Sequence, residues 1–483
     1  MLRPLTAALV AVLSIGSAYA AESGSTASKS RFIEDPYPST YQRIAAAPVL
    51  ISGATVLTGT GQRLDGADVL LQDGKVVAVG PSLQAPAGAT RVDGTGKWVT
   101  PGLIDVHSHL GVYPSPGVSA HSDGNEMTGA VTSNVWAEHS IWPQDPGFAT
   151  ALAGGITSLQ VLPGSANLVG GRGVTLKNVA ATTYQAMKFP GAPWGVKMAC
   201  GENPKRVYGQ KSGPATRMGN VAGYRAAFID ASEYLRKNGG KKAAEGEPKK
   251  KRWWSSSNGN ADSEKDTGGK RDLKMDTLAG AINGDIQVHI HCYRADEMAV
   301  MLDLAKEFGF KVAAFHHGVE AYKLADRLAA ENVCGALWAD WWGFKMEAFD
   351  GIQENLALVD RPPNSCAIVH SDSEEGIQRL NQEAAKVMAH AQLVGMDIPP
   401  ERAIRWMTQN AAKSLGILDK TGTLEAGKMA DVVVWNGNPF SVYAHAEQVY
   451  IDGARVFDRN DRSRQPVSDF MIGQGAAANG GVQ

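Results

Sequence analysis

The 483-residue chain is short of cysteine, of net charge and, after its first twenty residues, of long apolar runs. Each shortage removes a class of protein. Four cysteines, Cys200, Cys292, Cys334 and Cys366, are widely scattered and lack zinc-finger spacing. A chain of this size does not need disulfides, so the expectation is four free, buried thiols. A formal charge of −2 offers no electrostatic footprint for nucleic acid or an anionic membrane. No segment after the N-terminal run reaches the length of a membrane span. That first run is itself too short to span. Arg3, the apolar stretch "AALVAVLSIGSA" and the small-x-small ending Ala18-Tyr19-Ala20 read as a secretory signal over residues 1–20. The chain is therefore expected to be secreted, and periplasmic if its source is a Gram-negative bacterium.

What is present is regular. Residues 21–46 are polar and rich in Ser, Pro and Ala, as in an extended leader. From Val49 short β-segments follow one another, with "QDGK" between two apolar runs as a hairpin signal, because Asp-Gly readily takes the positive φ of a tight turn. The same texture returns in "GTLEAGKMADVVVWNG" and "EQVYIDGARVFD", so residues 47–100 and 420–460 are expected to form one small β-sandwich domain. Between them, residues 101–419 alternate strand-like and helix-like segments, which means parallel strands with crossover helices, in a doubly wound sheet or a (β/α)8 barrel. Residues 236–272, charged and rich in Gly and Ser, interrupt that pattern as a solvated insertion. Residues 461–483 read as a flexible tail.

The chemistry gathers at strand ends. "TPGLIDVHSHL" closes an apolar run with His107 and His109, which share one face of a strand. "DIQVHIH" ends at His291, "KVAAFHH" at His316 and His317, and "SCAIVHSD" at Asp372, with His289, His370 and His139 also near strand ends or turns. In a barrel the C-terminal strand ends form one rim, where imidazoles and a carboxylate converging make a hydrolytic Zn2+ or similar site. "WGVKMACGENPK" adds Lys197 within a strand and Glu202 at its exit. "VLPGSANLVGGRGVTLKN" (161–178) lacks the Gly-Lys-Ser/Thr ending of a phosphate loop. It is read either as a structural turn or as a loop shaping a substrate pocket with Ser165, Asn167 and Arg172. A long loop after the first strand carries His121, Trp136, His139 and Trp142 and can cap the site, and Trp341-Trp342 can line a pocket wall.

On "TPGLIDVHSH", "ALAGGITSLQ", "VHIH", "FHHGVEAYKLADRLA", "HSD", "TQNAAKSLGI" and "GTLEAGKMADVVVW" the chain resembles the amidohydrolase superfamily of metal-dependent hydrolases, closest to its imidazolonepropionase-like and dipeptidase-like branches. The resemblance implies an α/β fold with a (β/α)8 barrel beside a small β-sandwich. It implies His107 and His109 as ligands from the first strand, His291 from the fifth and one of His316 and His317 from the sixth. His317 is preferred because it precedes a glycine. Asp372 would be both ligand and general acid/base. One or two divalent ions, Zn2+ foremost, would bind, bridged by Lys197 as a carbamate or by Glu202.

The expected activity is hydrolysis of a carbon–nitrogen bond in a small-molecule amide, peptide or cyclic amide by a metal-activated water. Asp372 would be the proton carrier, with His291 or His317 polarising the carbonyl. The alternatives are a deaminase-type hydrolase of the same superfamily and a non-catalytic homologue that binds a ligand or partner. The chain is expected to work alone, as a homo-oligomer or paired with a related subunit.

Overall fold

The computed structural model describes residues 32, 34–211, 213–238, 270–341 and 343–461. The signal segment (1–20), most of the 236–272 insertion, Trp342 and the tail beyond residue 461 lie outside the described residues. No described helix is long and apolar enough to cross a membrane.

The chain first lays down β1 (Val49–Leu57), β2 (Arg63–Gln72), β3 (Lys75–Gly80), β4 (Thr90–Asp93) and β5 (Trp98–Pro101). The β2–β3 hairpin turns at Asp73 and Gly74, with φ of 52° and 79°. Two successive positive φ values define the two-residue turn that Asp-Gly favours. After β5 the chain leaves this sheet for more than 300 residues.

Eight strands then form a barrel: β6 (Leu103–Ser108), β7 (Ile156–Val161), β8 (Val169–Lys177), β9 (Gly195–Ala199), β10 (Gln287–Cys292), β11 (Val312–His317), β12 (Cys334–Leu337) and β13 (Ala367–Val369). They pair in sequence order. The seam between β13 and β6 is closed by residues just past β13. Ser371 N and Oγ donate to the Asp105 carboxylate, and Asp372 N donates to His107 O at 3.0 Å. The strands' near-continuous burial explains their apolar runs, and helices such as Ala295–Phe308 cover the outside with their apolar faces.

One strand departs from the repeat. β8 runs antiparallel to both β7 and β9. It corrects the loop reading of residues 161–178, since nine of them form a barrel strand with every residue buried. Gly170, Gly171 and Gly173 disguised it, because glycine carries no side chain to signal a strand. Here they permit close approach: a Cβ on Gly171 would lie 2.4 Å from Val135 O.

The chain then returns as β14 (Val432–Trp435), β15 (Ala446–Ile451) and β16 (Ala454–Asp458). β14 pairs with β5, so both ends of the chain build one separate eight-stranded sheet. Its core is aliphatic and drawn from both ends, with Ile51, Val56, Val69, Val432 and Val434. Residues 34–46 are tied down on the barrel: Ser39 Oγ donates to Lys188 O at 2.7 Å, and Asp35 pairs with Lys188 Nζ at 2.8 Å.

The cysteines are not free. Cys200 is bonded to Cys292 and Cys334 to Cys366. Adjacent parallel strands bring each pair together: Cys200 follows β9 and Cys292 ends β10, while Cys334 opens β12 and Cys366 precedes β13. Sequence spacing carries no trace of that register, which is why the thiols read as unpaired.

Candidate metal centre

At the C-terminal ends of the parallel strands, β6 presents His107 and His109 to Asp372, which follows β13. His109 Nδ1 donates to Leu162 O at 2.8 Å. Its other nitrogen, Nε2, therefore carries a lone pair, and it lies 3.3 Å from His107 Nε2 and 3.1 Å from Asp372 Oδ1. His107 Nε2 stands 3.3 Å from the same oxygen. His317 Nδ1 is 3.9 Å from Asp372 Oδ2 and 3.0 Å from His370 Nε2. Two sets of groups come within 4.8 Å of one another and could share an ion: His107, His109 and Asp372, and His107, His317 and His370. Among the described residues no such set contains His291, His316 or Glu202.

The electrostatics favour neutral imidazoles. Burial pushes His107, His291, His316 and His317 well below the ordinary histidine pKa, helped by neighbouring positive charge. Burial likewise holds His289 at about 3 and His370 at about 4. Asp372 keeps its charge: burial works to raise its pKa, but the close His109 ring and the positive charge of Lys197 bring it below the usual value. Neutral ring nitrogens and an ionised carboxylate aimed at one point repel one another unless a cation lies between them. The donor set fits a divalent ion of the Zn2+ type. Backbone strain marks the same place, since His317 and Asp372 adopt φ of 73° and 54°, a region that residues other than glycine seldom occupy.

Each remaining candidate has a definite place. Lys197, on β9, has its Nζ 3.4 Å from His107 Nε2 and donates to Pro163 O at 3.0 Å, and burial lowers its pKa to about 8. Glu202 opens the helix after β9 and faces Lys345 Nζ at 4.0 Å. His291 is buried with Nδ1 unpartnered among the described residues, while Nε2 is 3.4 Å from Asn203 Nδ2. Asn203 Nδ2 also donates to Ser165 Oγ at 2.9 Å, which ties Ser165 to the site. His316 has both nitrogens against other histidines, His107 and His289.

Three expected substrate contacts sit elsewhere. Asn167 donates to Glu126 O, Gly129 O and Tyr208 Oη, a structural tie. Arg172 is packed between Trp136 and Trp194 and donates to Thr277 Oγ1. His139 stacks on Trp136 and lines a cavity of about 380 Å3 whose lining includes neither Asp372 nor any of the seven strand-end histidines.

Beside the centre opens another cavity, of about 550 Å3, lined by Tyr293, Trp338, Asp340, Trp341, Phe344 and Asp372. Of these aromatics only Trp341 was singled out in the sequence. In the sequence His370 reads as a strand-end histidine and not as a ligand, although it precedes Asp372 by two residues, the His107–His109 spacing.

Comparison with known proteins agrees with this architecture. The profile of the Amidohydrolase family matches residues 368–465. An amidohydrolase of known structure from Thermotoga maritima MSB8 is 35% identical, with a TM-score of 0.72, over 85% of this chain and 100% of that one. Amidohydrolase tasK of Hapsidospora irregularis is 31% identical over 81% of this chain, which spans only 40% of that relative's length. The imidazolonepropionase of Mesorhizobium japonicum is 24% identical over 76% of this chain and 86% of its own. With this barrel, this separate sheet and a relative matched along its whole length, the chain belongs to the amidohydrolase superfamily.

Proposed function

We propose that the protein hydrolyses a carbon–nitrogen bond of a small amide, a dipeptide, an N-acyl amino acid or a cyclic amide. The convergence of His109 Nε2, His107 Nε2 and Asp372 Oδ1 within 3.3 Å of one another carries this reading. His107, His109, His317, His370 and Asp372 would hold the ion, with His291 and Lys197 beside them. When bound, a divalent ion supplies the positive charge that acidifies water and polarises a carbonyl. Asp372 takes the proton from the attacking water and passes it to the leaving nitrogen. An N–H of His291 or His317 donates to the carbonyl oxygen as negative charge develops there. The aromatic wall of Tyr293, Trp338, Trp341 and Phe344 excludes water and receives an apolar group of the substrate.

Lys197 suits a carbamate bridge better than Glu202 suits a carboxylate one. The lowered pKa of Lys197 leaves more of its amine neutral. A neutral amine adds to CO2, forming an N–C bond as one C=O π bond opens onto oxygen and the ammonium proton passes to water, and the resulting carbamate would lie beside His107. Export is part of the same reading, supported by the leader-like residues 1–20 and by two disulfides, which persist in oxidising compartments.

The test is metal analysis of the purified chain, followed by a screen of dipeptide, N-acyl and cyclic-amide libraries with and without chelator. Stoichiometric metal and chelator-sensitive hydrolysis are expected. Bound metal without turnover of any amide would overturn the enzymatic reading.

A further inference from the structure

A row of imidazoles crosses the barrel interior behind His107. His107 Nδ1 lies 2.9 Å from His316 Nδ1, and His316 Nε2 lies 3.0 Å from His289 Nδ1. His289 Nε2 is 3.4 Å from the side-chain amide of Gln160. The four residues stand on β6, β11, β10 and β7, and none is more than 1% exposed.

Neutral imidazole carries one ring proton, so it donates through one nitrogen and accepts through the other. Contacts between successive rings are made only when every ring donates in the same direction. If His107 Nε2 offers its lone pair to an ion, the proton of His107 is on Nδ1 and His316 Nδ1 must accept it. The proton of His316 is then on Nε2, His289 Nδ1 accepts, and His289 donates through Nε2. The row ends on Gln160, which must supply an acceptor. Gln160 Oε1 is buried with no hydrogen-bond partner among the described residues, and a half-turn of the amide brings it to His289. Run in the other direction, the row would place a proton on His107 Nε2, where no cation could then be held.

We infer that Gln160, His289 and His316 are positioning residues that hold His107 as its Nδ1–H tautomer, with the Nε2 lone pair turned toward the metal. The inference rests on the metal reading above and gives His316 a role distinct from that of its neighbour His317. The metal-facing residue is fixed, through two intervening rings, by a polar partner that touches no ligand itself. Outer partners of this kind are worth roughly 10–100-fold in metal affinity.

The tautomers are read from the ring 15N shifts of the Zn2+-loaded, full-length protein labelled at histidine. His289 and His316 are expected to carry their protons on Nε2 and His107 on Nδ1. A proton on Nδ1 of His289 or His316, or a zinc-bound nitrogen on His316, would overturn the inference. Zn2+ affinity, measured by chelator competition, gives a second readout. Gln160→Leu is expected to bind about 10-fold more weakly. Gln160→Glu, which can only accept, is expected to match the parent. Equal affinity in all three proteins would sink the idea. Failure of the parent to take up stoichiometric Zn2+ would remove the metal reading and this inference with it, whereas Zn2+ uptake with the opposite tautomers removes the inference alone.

Discussion

Lys197 Nζ stands 3.4 Å from His107 Nε2 inside the barrel, whereas Glu202, five residues later, turns to Lys345. The two candidates for a bridging anion are thus separated by geometry. Metal uptake by the apoprotein is expected to rise with added bicarbonate, to fail in Lys197→Ala and to persist in Glu202→Gln. Indifference to bicarbonate, together with loss in Glu202→Gln, would return the bridge to the glutamate.

Asp372→Asn keeps the size of the side chain and removes the charge that faces His109 and His107. Turnover is expected to fall on the order of 10^2–10^4-fold, the usual worth of a positioned acid/base. Loss of a ligand deepens the deficit. Circular dichroism should be unchanged, because Asp372 N, which closes the barrel seam on His107 O, is backbone and survives the substitution. Near-parental turnover would show that another group moves the proton.

The sequence displayed this rim because the apolar runs of β6, β10 and β11 close on histidines and β13 is followed by His370 and Asp372, and strand alternation puts His107 and His109 on one face. It could not show which of two adjacent histidines points where, because His316 and His317 differ only by the half-period of a strand. The structure gives His316 to the interior and His317 to Asp372. His370 was legible by the same alternation, two residues before Asp372. The antiparallel strand β8 was hidden by its glycines, and the cysteine pairs by strand register. Arg172, read as facing a pocket, is buried among Trp136, Trp194 and Thr277, a contact that depends on the direction of β8.

Both disulfides join neighbouring strands of the barrel, and they close loops with sequence separations of 92 and 32 residues. The oxidised protein, denatured without reductant, should show no reactive thiol. Replacing Cys334 and Cys366 together by Ala is expected to cost about 2–4 kcal/mol, seen as a lower Tm. Four thiols titrating in the oxidised chain would contradict both bonds.

Lys177 is fully buried where the barrel meets the separate sheet. Its Nζ lies 2.6 Å from Asp452 Oδ2 and 3.2 Å from Asp431 Oδ1, and Tyr41 Oη donates to the same Asp452 oxygen. Lys177→Met leaves two buried carboxylates without their cation, at an expected cost of about 3–5 kcal/mol in unfolding free energy. Tyr41→Phe removes one hydrogen bond and should cost about 1 kcal/mol. A Lys177→Met protein as stable as the parent would mean that the carboxylates find protons or water instead.

The two cavities make opposite predictions for substrate affinity. Trp341 and Phe344 are 39% and 56% exposed at the mouth of the cavity that Asp372 lines, so they offer free ring surface beside that carboxylate. Covering an exposed aromatic side chain contributes about 1.5–3 kcal/mol, and each 1.4 kcal/mol is tenfold in an equilibrium constant. Trp341→Ala and Phe344→Ala should each raise KM for a substrate with a bulky apolar group by roughly tenfold, with a much smaller change in kcat. His139 belongs to the other cavity, stacked on Trp136 and edge-on to Tyr37, so His139→Ala should leave both constants near parental. Steady-state kinetics on any hydrolysed amide decides between them. A KM that responds to His139 and not to Trp341 or Phe344 would move the substrate path to the side of the barrel held by residues 34–46.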